Sequence, residues 1–306
     1  MIRDLIIIGA GCAGLGASIY AKRFNLDTVV LSENLGGTIT TTHLVENYPG
    51  FISLTGQALA DQLIEHAKAN DVSFELGYRV SKVEKNGDIF TVSYGPQEFQ
   101  ARTVILATGT SYKKLGVPGE QEFSAKGVSY CATCDAPFYK KKRTIMVGGG
   151  DSAVKESLIL AEHAESVVIA YRGTALTKAE PINLERMKKT SNIKVMFETE
   201  IAEIKGDQFV THVIFKNGET LETDGVFIEI GRIPLTQMVD PLGVNKNEKG
   251  EILINDMSET NIPGFYAAGD VTNTEWKQAI VGVAEGTKAA YMAFEYVSRQ
   301  KSKEGQ

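Results

Sequence analysis

A buried-strand pattern that runs straight into a glycine turn and out into a helix occurs twice in this chain, and no other feature restricts the fold as much. The first copy is "RDLIIIG" (3–9), with Gly9, Gly11 and Gly14 in G-x-G-x-x-G spacing, a helical pattern over 15–24, and a second strand "DTVVLSE" over 27–33. In such a βαβ context the first glycine permits the tight turn, the second lets a pyrophosphate approach the backbone, and the third lets helix and strand pack closely. The helix then offers its N-terminus, the positive end of its dipole, to the phosphates. Glu33 ends the second strand, where a carboxylate accepts hydrogen bonds from ribose hydroxyls.

The second copy is "RTIMVGGGDSAV" (143–154), with Gly148, Gly150 and Ala153 in G-x-G-x-x-A spacing, followed after its helix by the strand "SVVIAY" (166–171). Each βαβ unit is followed by a stretch that reads as a β-meander closing on an apolar strand and a glycine, at 83–109 and 204–231. Such internal repetition is the mark of one unit used twice. The fold class it predicts is α/β, two Rossmann-like, three-layer ββα-type dinucleotide-binding domains, the second inserted into the first. Turn-rich breaks at 110–119 and 231–236 mark the crossings, giving a first domain over 1–115 and 244–306 and an inserted one over 116–243. After 244 two short strands and a helix from about Lys277 complete the first domain. Two linkers around an insertion make a natural hinge pair. Two nucleotide units call for two nucleotide cofactors, or for one and a degenerate copy.

The 306 residues are enough for two domains of ordinary size. With 43% hydrophobic and 23% charged residues, the composition is that of a soluble globular protein, and a net charge of −6 gives no footprint for nucleic acid. No leader peptide and no apolar run long enough for a bilayer are read, and three cysteines do not make a disulfide scaffold, so the expected location is cytoplasmic. Two of those cysteines stand three apart in "YCATCDAPF" (130–138), as half a metal site or as a working disulfide. Zinc usually wants a second such pair or close histidines, whereas the four histidines (43, 66, 163, 212) stand singly, so no metal is expected. Cys12, inside the first glycine turn, is explained by its small size at a helix start, and "KKKR" (140–143) by a solvated turn, with docking of an acidic partner as the alternative.

Taken in order, "GAGCAG", "GGTITTTHLVENYPG" (36–50), "ATGTSYKKLGVPGE" (107–120), "GVSYCATCDAPFY" (127–139), "GGGDSAVKE" (148–156) and "AAGDV…KQAIVGVAEG" resemble the low-molecular-weight, bacterial and archaeal type of thioredoxin reductase over nearly the whole chain. The resemblance implies that the first domain holds FAD and the inserted one a pyridine nucleotide and the redox cysteines. Electrons would pass from the nucleotide to FAD, to the cysteine pair, and on to a thioredoxin- or glutaredoxin-like protein, in a homodimer whose domains alternate between two arrangements. It further implies that Cys134 accepts electrons from the flavin, that Cys131 attacks the partner, and that Asp135 is the general acid/base. For FAD it implies Gly9, Gly11, Gly14, Glu33, Gly37, Thr38, Thr42, Asn47, Gly109, Gly269 and Asp270, with Lys277, Gln278 and Ala279 closing over the ring. Thr38 stands where glutamine is common, and Ala136 and Pro137 depart from the usual small-plus-aromatic pair.

For the nicotinamide nucleotide the resemblance implies Gly148, Gly150, Ala153 and Arg172. The basic cluster that reads a 2′-phosphate in this family, H-R-R-x-x-x-R, is here "YRGTALTK" (171–178), with Tyr171, Gly173 and Thr177 in place of three cationic or imidazole donors. A 2′-phosphate binds best to forked guanidinium donors, so NADPH binding is expected to be weakened, and NADH to serve at least as well. No acid ends the preceding strand to mark an NADH site either, which leaves the donor open between NADPH, NADH, and a ferredoxin or deazaflavin. A slow redox-sensing flavoprotein is the further alternative to a turnover enzyme.

Overall fold

The computed structural model describes residues 1–42 and 44–304; His43, one of the singly placed histidines, lies outside them. In chain order the elements are β1 (Ile2–Gly11), α1 (Cys12–Arg23), β2 (Thr28–Gly36), α2 (Gly56–Ala69), β3 (Ser73–Leu76), β4 (Val80–Asn86), β5 (Ile89–Tyr94), β6 (Gln97–Leu106) and β7 (Thr110–Tyr112). Then come β8 (Val128–Ser129), α3 (Ala132–Asp135), β9 (Arg143–Val147), α4 (Asp151–Ala161), β10 (Ser166–Ala170), α5 (Pro181–Lys189), β11 (Ile193–Met196) and β12 (Ile201–Gly206). The chain ends with β13 (Val210–Phe215), β14 (Thr220–Glu222), β15 (Gly225–Ile228), β16 (Arg232–Pro234), β17 (Phe265–Ala267) and α6 (Ala279–Glu304).

Two compact units result, Met1–Ser111 with Ile233–Gln306, and Tyr112–Arg232. The crossings thus fall nearer the N-terminus than the sequence reading put them, at 111/112 and 232/233. The second moves furthest because Val239, expected in the inserted domain, is buried in the core of the first unit with Val83 and Phe90.

In the first unit β3, β2, β1, β6 and β17 form the parallel part of a sheet that continues antiparallel through β5 and β4. Strand β1 alternates its burial between two cores. Leu5 and Ile7 face a cluster built with α1 and α6, whereas Ile6 and Ile8 face one built with β4 and β5. A strand buried on both faces reads as the unbroken apolar run "LIII", and it is also what places a glycine turn at the sheet's carboxyl edge. Of the two short strands expected after residue 244, only β17 forms a ladder; Ile252 makes isolated bridges to Lys246 and Thr272.

The second unit repeats the plan. Strands β11, β10, β9, β15 and β8 are parallel, and β12, β13 and β14 form a separate antiparallel layer. Ile145 and Val147 of β9 pack toward that layer, against Val213 and Phe215. Met146, between them, packs toward α4, against Ala153 and Val154.

Candidate functional site: two glycine turns and a disulfide

The three glycines of the first turn do three different jobs. Gly9 has φ +105°, open to glycine at little cost, and a Cβ there would stand 2.3 Å from the Ala107 carbonyl oxygen. Gly14 lies within α1, where a Cβ would stand 1.8 Å from the Gly9 carbonyl oxygen, so its absence sets the distance between helix and strand. At Gly11 the nearest atom to such a Cβ is 3.8 Å away. A Cβ at Gly11 would make only ordinary van der Waals contact, the first turn of α1 holds no acid, and no side chain caps the helix. An anionic pyrophosphate fits that cradle. Gly37, with φ +66°, packs on the turn: its Cβ would come 2.9 Å from Gly11 Cα. Gly109 has φ +63° with open space around it, and its carbonyl accepts from the Leu235 N–H.

Other residues expected at this cradle are placed as follows. Glu33 is exposed and ion-paired to Arg79 at 2.6 Å, so one of its carboxylate oxygens is already engaged. Thr38 sits on a 3₁₀ turn, Gly37–Thr41, and its carbonyl accepts from the Thr41 hydroxyl. The Thr42 carbonyl accepts from the Gly56 N–H. Asn47 and Gln278, 231 positions apart, meet through a 3.0 Å hydrogen bond from the Asn47 side-chain amide. Lys277 Nζ donates to the carbonyls of Asp270 and Thr272 and is paired with Glu251 at 2.7 Å, so it fastens the 270–272 loop. Ala279 begins α6.

A residue that sequence reasoning passed over organises this loop. Glu285, buried in α6, accepts from the Gly269 N–H at 2.7 Å and from the hydroxyls of Thr272 and Thr274. The one signal was an acid set among small and apolar residues in "AIVGVAEGTKAA". Cys12 lies half-buried near Asp270 of this loop. Burial, and next the Asp270 charge, push its thiol up to about 11, which keeps it protonated and unreactive at neutral pH.

The second turn reproduces the logic of the first. Gly148 has φ +147°, and a Cβ there would stand 2.1 Å from the Glu229 carbonyl oxygen; Ala153 occupies the packing position; over Gly150 nothing lies within 4 Å. Helix α4 begins at that open point without a side-chain cap, although Asp151 in its first turn is taken up by Lys155, the Glu180 N–H and the Asn183 amide. A dinucleotide pyrophosphate fits here too. Arg172 is exposed and makes no ion pair among the described residues.

The redox pair stands at the start of α3 in the same unit. Cys131 and Cys134 are joined by a disulfide, with Cα atoms 5.4 Å apart, and Cys131 caps the short helix by accepting from the Cys134 N–H. Three neighbours hold the loop. Ser129 accepts from the Cys131 N–H at 3.1 Å, Glu156 of α4 accepts from the Ala132 N–H at 3.2 Å, and Ala136 is fully buried beneath them. Burial and the nearby Glu229 charge raise the Glu156 carboxyl to about 8; Glu229 itself is raised by burial, against the pull of Arg232 at 2.9 Å. Asp135 follows Cys134 directly, and its charge, after burial, helps push the Tyr139 phenol to about 12. Pro137 is the second residue of a 3₁₀ turn over Ala136–Tyr139 that leaves Phe138 73% exposed. The run after it is only partly free, since Arg143 is paired with Glu222 and Asp224.

Among the described residues no group of three or more His, Cys, Asp or Glu side chains is arranged to hold a metal, and no helix is long and apolar enough to cross a membrane.

The family model for pyridine nucleotide-disulphide oxidoreductases matches residues 3–286, and the chain belongs to that family. Within it, the likeness is to thioredoxin reductases of the low-molecular-weight type. The chain is 40% identical to the thioredoxin reductase of Bacillus subtilis, covering 97% of this chain and 95% of that one. Its fold superposes on the crystal structure of Lactococcus lactis thioredoxin reductase with a TM-score of 0.93 at 35% identity, covering 97% of this chain and 99% of that one. On the crystal structure of T. acidophilum thioredoxin reductase the TM-score is 0.90 at 37% identity, with 96% of this chain and 98% of that one covered.

Proposed function

We propose that the protein is an FAD-dependent thioredoxin-disulfide reductase fed by a reduced nicotinamide nucleotide. The observation that carries this reading is the bonded Cys131–Cys134 pair, followed directly by Asp135, in a chain with two glycine turns that each begin a helix without a side-chain cap. The unit 1–111 with 233–306 is the flavin unit, Gly11 receiving the pyrophosphate, Glu33 the ribose, and Asn47, Asp270 and Gln278 the remainder. The unit 112–232 receives the nicotinamide nucleotide at Gly150. Bound FAD supplies a carrier that exchanges electron pairs with a nicotinamide on one side and a disulfide on the other.

What the chain's own residues do follows from thiol chemistry. In the reduced pair the Cys131 thiolate attacks a partner disulfide, forming a mixed disulfide and releasing one partner thiolate. Cys134 then attacks Cys131 Sγ, restores the intramolecular bond and releases the second. The two released thiolates take up two protons, and in this reading Asp135, next in the chain to Cys134, passes one of them. Ser129 and Glu156 hold the loop backbone so that the two sulfurs stay within bonding reach. The partner is a thioredoxin-like protein, and the enzyme works as a homodimer in the cytoplasm; sedimentation at micromolar concentration tests the dimer.

The experiment is trapping. Cys134→Ser should accumulate a mixed disulfide with oxidised thioredoxin after reduction, because the resolving thiol is missing, whereas Cys131→Ser should accumulate none. The reverse pattern would exchange the two roles, and unchanged thioredoxin reduction by Cys131→Ser would refute the reading.

A further inference from the structure

The second glycine turn carries a ring that the first lacks. Tyr171, directly after β10, lies across two glycines. A Cβ on Gly149 would stand 2.4 Å from Tyr171 Cδ2, and one on Gly173 2.6 Å from Cε1 and 2.9 Å from the phenolic oxygen. Neither glycine has the left-handed backbone that would itself demand glycine, so it is the ring that leaves no room for a side chain at 149 or 173. The half-buried ring packs against the α4 core, and the backbone around it is fixed. The Tyr171 N–H donates to Met196, its carbonyl accepts from the Thr199 N–H, and the Gly173 carbonyl accepts from the Glu198 N–H. Lys178 forms a bridge with Gly150, and the Glu180 N–H is held by Asp151, so the far end of the 171–180 segment is fastened to the turn while its near end is fastened to 196–199.

In a doubly wound unit the end of the second strand is where the adenosine ribose is read. For the unit β9–α4–β10 that is residue 171 and those just after it. A bare 2′-hydroxyl needs only one hydrogen-bonding partner, a carboxylate or another acceptor, whereas a 2′-phosphate needs converging cations in open space. Here a phenol occupies the space, and Arg172 and Lys178 are the cations left in the segment.

We infer that Tyr171 selects the nucleotide: its ring fills the side of the turn where a 2′-phosphate would be held, while the open Gly150 still receives the pyrophosphate, so the unit takes a dinucleotide with a free 2′-hydroxyl in preference to its 2′-phosphorylated counterpart. This rests on the reading of the second unit as a nicotinamide site. It also explains why an arginine cannot simply be restored at 173, where its Cβ would meet the ring.

The test is calorimetric titration of the oxidised holoenzyme with NAD⁺ and NADP⁺, which bind without driving turnover. The wild type should bind NAD⁺ about tenfold or more tightly than NADP⁺. Gly173→Arg alone should gain nothing for NADP⁺, whereas Tyr171→Ala with Gly173→Arg should gain about tenfold or more, a coupling that independent sites would not show. If Gly173→Arg fails to fold, judged by retained flavin absorbance, Tyr171→His still decides: the NAD⁺/NADP⁺ ratio should fall about fivefold or more. Equal or tighter NADP⁺ binding by the wild type, an equal gain with and without the ring, or an unchanged ratio in Tyr171→His overturns the proposal alone. If no variant binds either nucleotide while dithionite-reduced enzyme still reduces thioredoxin, the nicotinamide reading fails and takes the proposal with it.

Discussion

Replacing Gly11 or Gly14 by alanine adds the same methyl group three positions apart, and the structure predicts opposite failures. At Gly14 the new Cβ would lie 1.8 Å from the Gly9 carbonyl oxygen and 2.9 Å from its carbon, all backbone that no rotamer can relieve. To reach even 3.0 Å, helix and strand must separate by at least about 1.2 Å, in an interior packed like a crystal. A backbone clash this close puts the overpacking cost at the upper end of the usual range, about 3 kcal/mol or more, against about 1 kcal/mol gained in helix propensity, so a net loss of about 2 kcal/mol or more is expected. At Gly11 the Cβ meets nothing closer than 3.8 Å. The change at the cap costs a few tenths of a kcal/mol to about 1 and the stiffer unfolded chain returns a similar amount, so stability should stay within about 0.5 kcal/mol of the wild type. The methyl group does, however, occupy the point of approach of the pyrophosphate, and flavin affinity should fall about tenfold or more. Urea midpoints of the flavin-stripped variants, with flavin content after gel filtration, separate the two effects. A Gly14→Ala variant as stable as the wild type, or a Gly11→Ala variant that keeps its flavin, would refute the division of labour.

Other outcomes follow from the same geometry. Glu156 is held protonated by burial to about 8, far above its ordinary 4.5. Between those values the folded state binds the extra proton, so stability falls as pH rises through the window, by up to about 1.4 kcal/mol per unit. Glu156→Gln should flatten that slope in urea midpoints taken at pH 6 and 9, and an unchanged slope would contradict it. Cys12, with its thiol at about 11, should resist iodoacetamide at pH 8. The reduced native protein should therefore take up two labels and the unfolded protein three; three in the native state would refute the burial. Glu285→Ala should strip the Gly269 N–H and the Thr272 and Thr274 hydroxyls of their acceptor and lower flavin retention, while Glu285→Gln restores much of it. Equal flavin retention in Glu285→Ala and wild type would remove Glu285 from the site.

The parts of this molecule legible from sequence are those fixed by local pattern. "LIIIGAG" and "TIMVGGG" show strand and turn because strands buried on both faces are unbroken apolar runs and because a left-handed turn selects glycine. The start of α1 was harder. The helical pattern reads from Leu15, yet α1 begins at Cys12 and takes in Gly14, which packs against Gly9. Ile252 carries a strand-like pattern but finds only single-residue partners, so it forms bridges and no ladder. The pairing of Asn47 with Gln278 is a tertiary event between distant segments and leaves no local trace. Glu156 sits in "KES", which reads as a solvated helix face, and only the packing of α3 on α4 shows that its carboxyl serves the cysteine loop. The ring of Tyr171 across Gly149 was likewise invisible; the sequence showed a lost histidine, and the fold shows what replaced it.

The central claim is that an electron pair from a nicotinamide nucleotide reaches Cys131–Cys134 and leaves on a thioredoxin. An anaerobic titration of the holoenzyme with NADH and with NADPH, following flavin absorbance and counting thiols after each addition, tests it directly. Bleaching of the flavin, two new thiols per chain, and loss of both thiols when oxidised thioredoxin is added are expected. Bleaching without new thiols, or new thiols that persist in the presence of thioredoxin, would contradict it.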